Sequence, residues 1–353
     1  MNAWFDFNGL LVEVSSPEPV LGEVRRDFSF FERPPNLGAP PSGSIQVHIR
    51  MHLEPPRYKG LPATPAAVLT PRNVSFLDGR TSYIDYFGRG LAVYDREAEN
   101  CDVYSDDAHL LREIVYLFVL STVGRYLDSK GLHRLHALGV SYQDRAILLL
   151  LPSGGGKSTM ALALLNRPGF QLLGEDTPLI DRRGHVLPFQ LPLGIRLGGS
   201  RAEIPEQYLR VVERMEFEPK ALVDLAYFGD RIGRDVTLPG VLLIGQRNLG
   251  EISEIVPVSR LGAVGPLIKN LVVGLGVYQG LEFLLERSVW EAFGKIGVGL
   301  SRVYNGLRLL MKARAYRFVL GRDMELNQRT LLEFVERKYG GPEGSEPREP
   351  GRA

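Results

Sequence analysis

Seven consecutive residues, Ser153, Gly154, Gly155, Gly156, Lys157, Ser158 and Thr159, combine the types that hold a chain of phosphates. The glycines permit a curled backbone whose successive N–H groups converge on phosphate oxygens, because no Cβ blocks the turn or the approach. The lysine supplies a mobile ammonium for the outer phosphates, and the Ser158 hydroxyl is placed to ligate magnesium. One residue departs from the usual loop: Leu151 stands where the first glycine would be. That glycine closes the turn leaving the strand and is replaceable where φ stays negative. Leu151 therefore bears on the loop's entry and not on the donors, the lysine or the hydroxyl.

A loop of this kind needs a buried strand before it and a helix after it. AILLLL (146–151) has the length and apolarity of a central strand, and TMALALL (159–165) forms a helix whose positive end faces the loop. Around them, residues 132–180 read as strand, tight turn, strand, loop, helix, turn and strand, an alternation that implies α/β layers. Strands are expected within 236–258, helix over most of 262–313, a strand at 315–321 and a last helix near 326–338. DRRGH (181–185) reads as a hairpin turn. Residues 105–131 read as a helix with Ser105 or an aspartate capping its start and Gly131 ending it. Upstream the chain reads as β-rich: SIQVHIRMHLE (44–54) alternates with period two, and 81–97 reads as two strands around FGRG. The expected organisation is a β-rich domain over 1–105, an α/β domain over 106–338 and a disordered polar tail over 339–353. The mixed-charge stretch 200–235 is longer than an ordinary connection and reads either as a mobile lid or as a surface insertion.

The 353 residues carry a net charge of +1, so no global attraction to nucleic acid or acidic lipid is implied. The apolar stretches 114–124 and 270–285 are shorter than the roughly 20 residues that span a bilayer, and both read as buried helices. The start lacks the basic and apolar regions of a secretory leader, so a cytoplasmic protein is expected. Cys101 is the single cysteine and reads as a structural thiol. His48 and His52 share one strand face without a third ligand beside them. Arg196, after a Pro-rich hairpin, is either a surface arginine or a cation that steadies a phosphoryl group.

Pro152–Thr159 resembles the G-x-S-G-x-G-K-S/T loop of the HPr kinase/phosphorylase family, and phosphoenolpyruvate carboxykinase carries a similar loop. LHALGV (135–140) and LLGEDTPLI (172–180) resemble the strands on either side of that loop, and 238–270 and 314–323 resemble the family's later elements. The resemblance covers about 130–336. It implies a mixed sheet flanked by helices, ATP held by residues 153–159, and Mg²⁺ bridging the nucleotide and Ser158. It further implies that one member of an acidic pair acts as base toward an acceptor hydroxyl. Here the pair is Glu175-Asp176 rather than two aspartates; Glu175 is expected as the base and Asp176 toward magnesium, with the reverse also open. By family position His136 lies near the transferred group; by itself it reads equally as a core histidine. A homo-oligomer is compatible with the resemblance.

The function expected is transfer of a phosphoryl group from ATP to a hydroxyl, on a serine of a protein or peptide or on a small metabolite. A non-catalytic ATP-binding regulatory module and a phosphoenolpyruvate-carboxykinase-like enzyme are the alternatives.

Overall fold

The computed structural model describes residues 1–34, 44–151, 155–195, 204–215, 218–273 and 289–340. Most of the expected tail, 341–353, lies outside them. Contacts divide the chain into two units. One holds Met1–Arg134, Gln190–Gly229 and Val272–Arg302; the other holds Leu135–Phe189, Asp230–Leu271 and Val303–Ala353.

The first unit opens on a hairpin of β1 (Asn2–Phe7) and β2 (Leu10–Ser15). Asn8 and Gly9 both take positive φ, 56° and 97°, the conformation a two-residue hairpin turn requires and Asn-Gly tolerates best. Helix α1 (Val20–Asp27) follows, then β3 (Ile45–His52), β4 (Ala66–Leu69), β5 (Val74–Asp78), β6 (Thr81–Asp85), β7 (Leu91–Asp95) and β8 (Asn100–Tyr104). These strands form one sheet in the order β1-β2-β3-β8-β7-β6-β5-β4, with β3 parallel to both its neighbours. The two strands expected within 81–97 are β6 and β7.

Helix α2 (Ala108–Ser129) is capped by Asp107, whose carboxylate accepts from the N–H groups of His109 and Leu110, and it ends ahead of Gly131 at φ +70°. Its apolar residues lie all around it, as suits a helix buried on most sides. It packs on β2, β3 and β8. The boundary expected at residue 105 therefore separates this helix from the sheet it covers; the division by contacts falls after β9 (His133–Arg134).

In the second unit, β10 (Leu138–Tyr142) and β11 (Arg145–Leu150) form a hairpin through Gln143 and Asp144, both at positive φ. Helix α3 (Lys157–Leu165) and β12 (Phe170–Gly174) follow. The short strands β13 (Leu179–Ile180) and β14 (Val186–Leu187) pair across the expected 181–185 turn, where the Asp181 carboxylate accepts from the N–H groups of Arg183 and His185. The chain then returns to the first unit. There β15 (Leu193–Ile195), β16 (Leu209–Val212) and β17 (Lys220–Val223) form a small antiparallel sheet, so the described part of the expected lid or insertion contains paired strands.

The last segments are β18 (Leu238–Arg247), β19 (Glu254–Pro257), α4 (Arg260–Ile268), α5 (Val289–Lys312), β20 (Arg314–Leu320) and α6 (Met324–Tyr339). The second unit's sheet runs β12-β10-β11-β18-β20-β19; β11, β18 and β20 are parallel and the other pairs antiparallel. The chain is thus mixed α/β, with mixed sheets and flanking helices. Leu148, Leu150, Leu242, Ala263, Leu267 and Leu309 join one apolar cluster on this sheet. Among the described residues no helix is long and apolar enough to cross a membrane.

Candidate functional site

Strand directions bring the candidate residues to one edge of the six-stranded sheet. β11, β18 and β20 run parallel and end there, at Leu150, Arg247 and Leu320. β12 is antiparallel to β10, which is antiparallel to β11, so β12 ends at the same edge and delivers Glu175-Asp176. β10 begins there, two residues after His136. In open α/β sheets the carboxyl edge is where loops can gather around a ligand without breaking the ladder.

Leu151 leaves β11 with its side chain buried, 1% exposed. The space it fills is made by Gly245 on neighbouring β18: a Cβ there would fall on Leu151 Cδ2. The departure from the usual first glycine is thus a packing pair across two parallel strands. Leu151 also contributes its carbonyl, which accepts from Lys157 Nζ at 2.9 Å.

Of the glycine run, Gly155 and Gly156 are described; Ser153 and Gly154 lie outside the described residues, as does Arg196. Gly156 precedes α3 at φ +97°, a left-handed conformation that L side chains rarely adopt. Gly156, at the N-cap, has no side chain to cap α3, and the N–H groups of a helix's first turn suit an anion.

Lys157, the first residue of α3, is only 7% exposed. Its ammonium lies 3.2 Å from His136 Nε2 and 3.2 Å from Asp176 Oδ1. The Asp176 contact is an ion pair by distance, without hydrogen-bond alignment at Oδ1. An ammonium only donates, so His136 Nε2 accepts and the ring proton of the neutral imidazole resides on Nδ1. That buried Nδ1 has no hydrogen-bond partner among the described residues; Asp176 Oδ1 is 3.7 Å away. Burial, and then the Lys157 ammonium, push the His136 pKa below its usual value, with Asp176 opposing them. The backbone N–H of His136 donates to the carbonyl of Asn270 at 3.1 Å.

The Ser158 hydroxyl donates to Glu175 Oε1 in a short hydrogen bond. The metal pair expected from the resemblance was Ser158 with Asp176; the pair in contact is Ser158 with Glu175, while Asp176 faces Lys157 and His136. A hydroxyl beside a carboxylate suits Mg²⁺, which takes few protein oxygens and keeps water or phosphate in its other positions. Thr159 is exposed. Gly174 makes the acidic turn possible, since a Cβ there would lie 2.9 Å from the Pro178 nitrogen and 3.0 Å from the Phe189 carbonyl.

Arg247 has no expectation attached to it. Its Nη2 lies 4.0 Å from where a Cβ on Gly156 would be, and Met324 Cε lies 3.1 Å from the same point. The Arg247 guanidinium is exposed and carries no ion pair among the described residues. Its place at the end of the strand beside β11 is set by sheet order, which no local motif announces.

The remaining titratable candidates resolve into ordinary contacts. His48 Nδ1 pairs with Glu13 at 2.8 Å and His52 Nε2 with Asp102 at 2.9 Å. Cys101 is buried, and burial pushes its thiol pKa up. No cluster of three metal-holding side chains occurs among the described residues. No protein-family model matches the chain, and no curated protein matches it by sequence.

Proposed function

We propose that the protein is an ATP- and Mg²⁺-dependent phosphotransferase of the HPr kinase/phosphorylase kind, passing a phosphoryl group to a hydroxyl. The observation that carries this reading is the meeting of Lys157 and Ser158, at the uncapped start of α3, with Glu175, Asp176 and His136. Glycine turn, buried ammonium, hydroxyl and two carboxylates are the parts phosphoryl transfer needs, because its catalysis is mostly positioning and charge neutralisation.

Bound ATP with Mg²⁺ supplies the transferable phosphoryl group and part of the charge that neutralises it. The chain's own residues do the rest. The N–H groups at the start of α3 and the Lys157 ammonium hold the phosphate oxygens, which requires Lys157 to exchange its contact with Asp176 for phosphate. Ser158 and Glu175 would hold the metal, through a hydroxyl and a carboxylate oxygen. Asp176, released from Lys157, takes the proton of the acceptor hydroxyl as the acceptor's oxygen–phosphorus bond forms and the bond to the leaving diphosphate breaks. His136, neutral, donates from Nδ1 toward Asp176 and orients it. Arg247 adds a guanidinium beside the glycine turn, where charge builds up in the transition state.

Incubation of the full chain with γ-labelled ATP, Mg²⁺ and serine-containing peptides or hydroxylated metabolites tests this. Magnesium-dependent transfer or release of label, lost in Asp176→Asn, is the expected result. ATP binding with no transfer or release under any of these conditions would make the chain a regulatory module, and failure to bind ATP would end both readings.

A further inference from the structure

A second chemically organised cluster lies within the first unit, apart from every residue used above. Asp128 near the end of α2, His133 on β9 and Ser301 in α5 form a continuous hydrogen-bonded chain. His133 Nδ1 is 2.8 Å from Asp128 Oδ1, and His133 Nε2 is 2.8 Å from Ser301 Oγ. His133 is fully buried. Proton positions follow from the partners. Asp128, held as a carboxylate by His133 and by Arg302 at 2.7 Å, has its pKa lowered by these contacts against its burial. A carboxylate only accepts, so Nδ1 donates to it. In the neutral imidazole Nε2 is then left with a lone pair, and Ser301 donates its hydroxyl proton there.

The direction of the Ser301 hydroxyl is informative because a serine inside a helix has an easier option. Such a hydroxyl usually donates to the carbonyl four residues earlier. Ser121 in α2 does so, to Leu117 at 2.7 Å, and Thr330 in α6 does so, to Leu326 at 2.8 Å. Ser301 instead pairs with an imidazole whose other nitrogen is held by a carboxylate, and it is the donor when that imidazole is neutral. Ser301 as a residue is partly exposed.

We propose that Ser301 is an activated nucleophile, with His133 as its general base and Asp128 as the residue that positions His133, acting on small carboxylic or phosphoric esters. In the step, the Ser301 oxygen forms a bond to the acyl carbon or phosphorus. Its proton passes to His133 Nε2, and the leaving group departs with that proton. Water then hydrolyses the resulting serine ester by the reverse use of the same base. The charged groups around His133 are Asp128 from α2, Arg302 from α5 and Arg134 beside it on β9.

The test uses the full chain with a fluorophosphonate probe, in which attack by Ser301 breaks the phosphorus–fluorine bond, and with p-nitrophenyl acetate as the ester. Labelling is expected at Ser301 by peptide mapping. Ser301→Ala should abolish it, and Asp128→Asn should lower its rate by roughly 100-fold or more and change its pH profile. Thr330→Ala, a helix hydroxyl with the ordinary carbonyl partner, should leave labelling unchanged. No labelling of the folded wild-type chain, or labelling at another residue, would each overturn the proposal, whether or not the Asp128 variant folds.

Discussion

Among the described residues the Lys157 ammonium has three partners, and each must give way or rearrange when phosphate arrives. Lys157→Ala should lower ATP affinity by at least about tenfold and abolish transfer, read by calorimetry and by label transfer, because a charge-assisted contact contributes roughly 1.5–3 kcal/mol. Glu175→Gln and Asp176→Asn should separate the two acids. With Glu175 on the Ser158 side, its amide variant should need more Mg²⁺ for half-maximal rate, whereas Asp176→Asn should lower the maximal rate at saturating Mg²⁺; the opposite pattern would restore the assignment first expected. His136 makes a pH prediction. Its pKa in the folded chain lies below the ordinary 6.5, so the unfolded chain binds the proton more readily. The corresponding stability is present above pH 6.5 and is lost as pH falls through the folded-state midpoint. His136→Asn should remove that part of the decline in a denaturant series, and ring resonances of the native protein should titrate with a midpoint below 6.5.

Leu151 and Gly245 show what two adjacent strands require of each other. Gly245→Ala should destabilise by about 1–3 kcal/mol through overpacking against Leu151 and the Leu150 carbonyl. Pairing it with Leu151→Val should recover part of the loss, and strictly additive effects in the double-mutant cycle would contradict the packing account. Restoring the usual glycine at 151 should itself cost about 3 kcal/mol or more, since it deletes a buried side chain. At this scale much was readable in advance. The β10–β11 hairpin, α3, β18, β20 and α6 follow from local apolar runs, caps and turn residues. The β15–β17 sheet did not, because its strands are only three or four residues long, lie in or beside a polar mixed-charge stretch, and bring β15 to β17 from about 30 residues away. Arg247 was missed for a related reason: β18 lies beside β11 only through sheet order.

Across the whole molecule, each unit has interactions that close over long stretches of chain. In the first, buried Arg210 donates to Asp27, Glu23 and Asp224, and Arg112 also reaches Asp27. Arg210→Met would leave Asp27 with a single guanidinium partner, and removing one member of a buried pair typically costs about 3–5 kcal/mol. Chemical denaturation should show that loss. ATP affinity should be unchanged, because the candidate nucleotide residues all belong to the second unit; a matching fall in affinity would contradict that separation. The amino-acid sequence by itself determined the strand, glycine turn, lysine, hydroxyl and helix, and the existence of an acidic pair one helix later. Those depend on neighbours a few residues apart, through φ preferences, capping and periodicity. Tertiary structure alone decided which acid meets Ser158, 17 residues away, and which imidazole meets Ser301, 168 residues away. Such contacts depend on strand order and on how helices pack, and the free energy that selects them is shared among many distant side chains rather than written in any short stretch.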